Sequence, residues 1–409
     1  MDRRSDLSSD QLTVIAPDRR RHAEAAIDLL AKVFSDMYGY YAMRDWCRDV
    51  YVLPAHYDWR ASRIGLIGER IVTHYGVWDF RMRIGSARVK VGGIGGVATD
   101  NDYRKRGLMD RTARASVEAM RAQGYDMSLL FGIGDFYHRY GYVRAWSEAA
   151  FVANVWDLPR EAPAARIVRF APRPQTDLAA LYNQCYAATT GTAVRPTYTK
   201  RNNPWFEQPI GYKWNRDGKL AGYVLLNRRG AQIVCGEYCG DAEETLRVLG
   251  MLGRRWNCRE VRFESLPYGC DLVKKLRWGT SRMEVHHHRS GGPLAALLNL
   301  PSALRKMEGE LSRRVRRSWL ADWRGDLLIA DGRDEATLSI ESGRVRVGDP
   351  GSTRDAIRGG DEVVQLLIGT DNPREVLEAA RMRVTGDAAR LAETLFPEQA
   401  PQMSHADRF

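Results

Sequence analysis

A run of residues near position 100 has the types and the order needed to hold a diphosphate. It reads Val91-Gly92-Gly93-Ile94-Gly95-Gly96-Val97-Ala98-Thr99, then Asp100-Asn101-Asp102-Tyr103, then Arg104-Lys105-Arg106-Gly107-Leu108-Met109. The apolar and glycine part reads as a strand, the Asp and Asn part as a turn, and the basic-glycine part as the first turn of a helix. The first N–H groups of a helix have no partner inside it and lie at the positive end of its dipole, so an anion is stabilised there. Gly107 keeps side chains away from approaching phosphates, and Arg104, Lys105 and Arg106 add positive charge.

Few other residues suggest proton or metal chemistry. Tyr137, in Gly134-Asp135-Phe136-Tyr137-His138-Arg139-Tyr140-Gly141-Tyr142, offers a phenol on a short helix expected over 135–140. His138 beside it faces another way, because adjacent helical residues diverge, and is expected at the surface. His286-His287-His288 has no further His or Cys at ligand spacing, so an inter-domain loop without metal is expected. Cys235 and Cys239 lack the second pair of a zinc site and read as strand residues. Six cysteines in 409 residues form no disulfide framework, which implies a cytoplasmic setting. Asp100 and Tyr103 are expected as turn residues.

The elements that position these groups follow from periodicity. Residues 23–34 read as an amphipathic helix, with Ala26, Ile27, Leu30 and Phe34 on one side. Strands are expected at 65–68, 70–77, 78–84 and 89–98, a helix at 108–123 stopped by Gly124, and a strand at 127–131. A similar order follows, with helices at 178–188, 243–256 and 271–276 and strands at 220–227, 231–237 and 260–263. After a linker at Arg289-Ser290-Gly291-Gly292-Pro293, helical spacing of Leu304, Met307, Leu311 and Val315 precedes strands at 326–330, 336–340, 345–347 and 363–368. Helices start at Pro373 and Asp387. Residues 397–409 are polar and carry Pro397 and Pro401, so no core element is expected there. The fold class is α+β, a mixed α/β chain, divided at 1–150, 151–290 and 291–409. The hydrophobic fraction of 44% allows real cores, while no apolar run approaches the ~20 residues of a membrane span. The start, Met1-Asp2-Arg3-Arg4-Ser5-Asp6, has no signal segment. The net charge of +11 is scattered among 51 acidic residues. Its densest cluster, around Arg305 to Arg317, reads as a solvated or inter-domain helix face, so no nucleic-acid partner is expected.

Arg104-x-x-Gly107-x-Met109 after Val97-Ala98-Thr99 resembles the GNAT N-acetyltransferase cofactor motif, with Met109 where that family prefers a small residue. The Tyr137 to Tyr142 segment resembles the family's Tyr-x-x-x-Gly-Phe/Tyr element. Arg104-Lys105-Arg106-Gly107-Leu108-Met109, Phe34-Ser35-Asp36 with Trp46, Met382-Arg383-Val384-Thr385-Gly386-Asp387 and the final Phe409 together resemble the Eis (enhanced intracellular survival) branch. The resemblance implies two GNAT-type domains with central twisted mixed sheets flanked by helices, the second without cofactor, and a C-terminal domain like sterol carrier protein 2. It implies acetyl-CoA as co-substrate, with Val97, Ala98, Thr99 and residues 104–109 holding it. It implies direct acetyl transfer to a primary amine of a small molecule or peptide, such as an aminoglycoside, a polyamine or a lysine-like amine. Phe34, Asp36 and Trp46 would line the amine pocket, Tyr137 would protonate the leaving thiolate, and the Phe409 carboxylate would be the base. A homo-oligomer, trimer or hexamer, is implied as well. Two rival readings are a non-catalytic lipid- or ligand-binding protein using the C-terminal domain, and an RNA- or membrane-surface protein.

Overall fold

The computed structural model describes residues 12–52, 56–171, 176–196, 209–267 and 269–409. The polar start at 1–6 lies outside them. The chain opens with β1 (Thr13–Ile15) and α1 (Arg19–Val33). Helix α1 begins four residues ahead of expectation because the Asp18 carboxylate accepts from the N–H groups of Arg20 and Arg21, both at 2.9 Å. The short helices α2 (Ser35–Tyr38) and α3 (Tyr40–Trp46) follow, then β2 (Arg63–Ile67), β3 (Arg70–Ile84) and β4 (Ala87–Thr99). The two strands expected at 70–84 are one, since Trp78 at their supposed boundary is fully buried in mid-ladder opposite Gly93. Next come α4 (Leu108–Ala122), β5 (Met127–Gly132) and β6 (Val143–Arg144).

The chain then builds a second sheet from β7 (Glu148–Asn154), β8 (Ile167–Phe170), α5 (Thr176–Cys185), β9 (Ile210–Arg216), β10 (Lys219–Arg229), β11 (Gln232–Cys239), α6 (Ala242–Arg255), β12 (Glu260–Glu264), α7 (Asp271–Leu276) and β13 (Ser281–His286). Its order is β13-β7-β12-β11-β10-β9-β8. Cys235 and Cys239 lie in β11 and are buried there. The chain returns to the first sheet with β14 (Gly292–Leu297), which inserts between β5 and β6 to give the order β1-β2-β3-β4-β5-β14-β6. The glycines expected as linker thus lead straight into a central strand.

Helix α8 (Leu300–Arg316) leads to a third sheet of β15 (Gly325–Ala330), β16 (Glu335–Glu341), β17 (Arg344–Gly348), β18 (Asp355–Arg358) and, after α9 (Val363–Ile368) and α10 (Pro373–Ala379), β19 (Arg383–Thr385); α11 (Ala388–Leu395) follows. The expected strand at 363–368 is helix α9. A short all-apolar run carries no period to separate a buried strand from a buried helix, and Gly369 at φ 64° closes the helix. Leu304, Met307, Leu311 and Val315 of α8 join Val91 and Leu129 of the first sheet and Leu327 and Leu338 of the third in one core. The basic cluster on α8 is partly internal: Lys306 pairs with buried Asp126 at 2.5 Å, and Arg313 and Arg314 pair with buried Glu310. No helix of the described residues is long and apolar enough to cross a membrane.

Candidate active site

The first sheet opens where the cofactor motif begins. Strands β4 and β5 pair in parallel only from Val91–Met127 to Ile94–Leu130. Strand β4 runs on to Thr99 and β5 to Gly132 without pairing to each other, so among the described residues one backbone edge of β4 past Ile94 has no neighbouring strand on the β5 side. Gly96 sits there at φ 54°, and the β3–β4 register slips between His74 and Gly76, a bulge that bends β4 away from β5. Buried His74 fixes the bulge: Nδ1 lies 2.7 Å from the Gly96 oxygen and Nε2 2.7 Å from the Tyr57 hydroxyl. Burial lowers its pKa to about 4, so the ring is neutral. Sequence reasoning passed over His74, because a single His inside an apolar strand carries no spacing signal.

Beyond Thr99, the Asp100 carboxylate accepts from the Asp102 N–H and meets Arg70 at 2.6 Å, which fixes the turn. Lys105 at φ 63° and Gly107 at φ 71° then aim the chain into α4. A Cβ on Gly107 would meet no protein atom within 4 Å, so its backbone conformation requires glycine and the space in front of the helix stays open. The side chains of Ala98, Leu108 and Met109 are buried, leaving only their backbone to a ligand. Arg104 and Lys105 are exposed. Arg106 donates to the Asp102 oxygen at 2.9 Å and lies over the Tyr103 ring. A helix N-terminus, three cations and a strand edge parted from β5 fit a diphosphate carrying an extended amide arm. In the second sheet, β11 and β12 repeat the parallel pairing around α6, but the carboxylate of Asp241 caps that helix and Glu243 and Glu244 fill its first turn. That N-terminus repels an anion.

Tyr137 and Phe409 meet the β4–β5 opening on opposite faces. Tyr137, on the 3-10 turn Tyr137–Tyr140, is 7% exposed, with its ring against Leu130 and Gly132, where a Cβ would come within 2.4 Å. Burial holds its phenol above the ordinary range, so it is protonated at neutral pH. Phe409 lies over Gly93, where a Cβ would come within 2.4 Å, and its ring is 5.1 Å from Phe80 and 5.8 Å from Phe131. Successive strand residues point to opposite faces. Gly92 faces Met120 of α4 while Gly93 faces Phe409, and Leu130 and Gly132 face Tyr137 while Phe131 faces Phe409.

The tail that delivers Phe409 is not the exposed segment its polarity suggests. Pro401, Gln402, Met403 and Ser404 are buried, and the segment is held by backbone and hydroxyl hydrogen bonds. The Gln402 N–H donates to the Thr190 oxygen at 3.1 Å, and Ser404 Oγ donates to Glu237 Oε2 at 2.6 Å. Arg195, 4% exposed, bridges Glu237 at 2.8 Å and Asp407 at 2.9 Å. Arg408 meets Glu148 at 2.6 Å and lies over the Phe131 ring. Elsewhere, Phe34 and Trp46 are half-buried on the core of α1 and α3 that includes Ala98 of β4, whereas Asp36 is exposed. His138 is exposed, as expected, with its Nδ1 3.2 Å from the Tyr142 oxygen.

Residues 17–145 match the family model described as an acetyltransferase (GNAT) domain. The fold of the whole chain is similar to a GCN5-related N-acetyltransferase from Anabaena variabilis ATCC 29413 (TM-score 0.76, 14% identity, covering 97% of this chain and 100% of that one). It is also similar to a GCN5-related N-acetyltransferase from Kribbella flavida (0.72, 23%, 97% and 98%) and to Eis1 from Mycobacterium abscessus (0.69, 16%, 97% and 100%). No curated protein matches the sequence. The strand–turn–helix segment at 97–109 and the parted β4 and β5 strands lie within the matched residues, so residues 17–145 resemble a GNAT acetyltransferase domain in sequence and in fold.

Proposed function

We propose that this protein transfers acetyl from acetyl-CoA directly to a primary amine of a small molecule or peptide, in a ternary complex. The observation that carries the reading is the placement of Tyr137 and Phe409 on opposite faces of the β4–β5 opening. Acetyl-CoA supplies the activated thioester. The free edge of β4 at Val97 and Thr99 pairs with its pantetheine arm, and the α4 N-terminus with Arg104, Lys105 and Arg106 takes the pyrophosphate. A lysine-like amine with pKa ~10.4 is neutral about one time in two thousand at pH 7, a cost of ~4–5 kcal/mol. The Phe409 carboxylate takes the amine proton. The amine nitrogen bonds to the acetyl carbon, the carbon–sulfur bond breaks, and Tyr137 protonates the departing thiolate. Phe34, Trp46 and Asp36 receive the amine, Asp36 by its charge. The third unit, resembling a sterol carrier domain, is architectural, and the chain assembles as a homo-oligomer in the cytoplasm. A thiol-release assay with acetyl-CoA across aminoglycosides, polyamines and peptide lysines tests the reading. No acceptor-dependent thiol release from any amine would overturn it.

A further inference from the structure

Glu148 is the first residue of β7, and the antiparallel β7–β13 register sets it directly opposite His286. Directly opposed residues share one face of a sheet with Cβ atoms ~4.5–5.5 Å apart. His288 follows two residues later, with Nε2 2.9 Å from Glu148 Oε2, and its ring centroid is 4.1 Å from that of His286. His287, between them, instead lies with Nδ1 2.7 Å from Ser147 Oγ. One carboxylate oxygen and one nitrogen from each of the two rings lie within 4.8 Å of one another. The histidine run seemed unable to complete a ligand set because its third donor lies 140 residues before His288.

We propose that Glu148, His286 and His288 bind a divalent transition-metal ion such as Zn²⁺, in competition with Arg408 for the Glu148 carboxylate. Two imidazoles and one carboxylate form a set suited to Zn²⁺, with a fourth tetrahedral position left for water; His286, on the exposed side, gives the ion its way in. The strand register holds Glu148 and His286 together, and the Glu148 hydrogen bond brings His288 to them, so closing around an ion asks for side-chain rotation. The Arg408 guanidinium, 2.6 Å from Glu148 Oε1, is the competitor. The guanidinium holds Oε1 while His288 faces Oε2, so an ion at this carboxylate lies beside a fixed positive charge, and removing the guanidinium strengthens ion binding.

The assignment does not depend on the acetyl-transfer reading, and its test does not use activity. Untagged full-length protein is titrated with ZnCl₂ by calorimetry beside His286→Ala, His288→Ala and Arg408→Ala, each checked for native circular dichroism. One ion per chain is expected, weakened at least about tenfold in either histidine variant and tightened several-fold in Arg408→Ala. Should His288→Ala fail to fold, exposed His286 carries the test alone. No binding by the parent, or unchanged affinity in His286→Ala, overturns the site; equal affinity in Arg408→Ala overturns the competition.

Discussion

In the proposed reaction Tyr137 and Phe409 would act under different constraints. A buried phenol held above its ordinary range gives up a proton only to a strong base, and a departing thiolate (pKa ~8.5 in a free cysteine) qualifies only while water is excluded. Tyr137→Phe is therefore expected to lower turnover by ~10²–10⁴-fold with little change in acetyl-CoA affinity, as steady-state kinetics beside calorimetry would show. Unchanged turnover would leave Tyr137 a packing residue. Extending the chain past Phe409 by one residue removes the carboxylate from its place while the ring keeps Gly93 covered. Turnover should fall with cofactor affinity intact, and an extended chain of full activity would send the proton elsewhere. The strand, turn and helix start of the candidate phosphate cradle were legible because that segment is local in sequence. His74, Glu148 and Arg195 were not: their partners sit 22, 140 and 212 residues away, and only the fold brings such pairs together.

Helices carry the site's two main supports, α4 the cradle and α8 the joint beneath the sheet. Gly107 opens α4 at φ 71° with open space around its missing Cβ, so Gly107→Ala is expected to cost about 1–2 kcal/mol from left-handed strain alone. Urea unfolding measures that cost. Gly107→Glu, which adds charge as well as bulk, should also abolish acetyl-CoA binding, which calorimetry of the parent should show as one site per chain because Asp241 caps α6. On α8, Glu310 accepts from the Ser86 N–H at 3.0 Å, the Ser86 hydroxyl at 2.7 Å, Arg313 and Arg314. Burial opposes its charge, yet these donors bring its pKa down to about 2. A carboxylate lower in the folded than the unfolded state contributes stability that is complete above its unfolded value near 4.5 and is lost as pH falls toward 2. That contribution is on the order of 2–3 kcal/mol, and unfolding of Glu310→Gln across this window should show a shallower pH slope. Element types were readable wherever a period was present, as along α1, α4 and α8. They failed at 363–368, where a uniformly apolar run has none, and at Gly292, where two glycines read as a linker opened a strand.

Across the whole molecule, the second unit has a role that its own capped α6 helix would not suggest: it anchors the tail that ends at the first unit's site. Arg195 and Glu237 belong to the second unit's share of the chain, Asp407 and Ser404 to the tail, and Tyr182 of α5 donates to Asp407 at 3.0 Å. The Arg195 side chain is 2% exposed between two carboxylates. Removing it would leave Glu237 and Asp407 buried and uncompensated, a loss of about 3–5 kcal/mol. Arg195→Ala should therefore destabilise the protein broadly, which urea unfolding would show. Asp407→Asn is the more informative change, because Arg195 keeps Glu237 and the second core stays paired while the tail loses one of its two ionic holds and keeps Arg408–Glu148. If the second unit fixes the terminus for chemistry, Asp407→Asn should keep its unfolding midpoint within about 1 kcal/mol, since it leaves a neutral hydrogen-bonding group in place. It should bind acetyl-CoA as the parent does, lose turnover, and release its last residues to carboxypeptidase faster. A variant whose tail is clipped faster but whose turnover, measured before clipping, equals the parent's would separate tail anchoring from catalysis. The carboxylate at Phe409 would then have to reach the opening by the grip of Gly93, Phe80 and Phe131 on its ring and by the Arg408–Glu148 pair beside it.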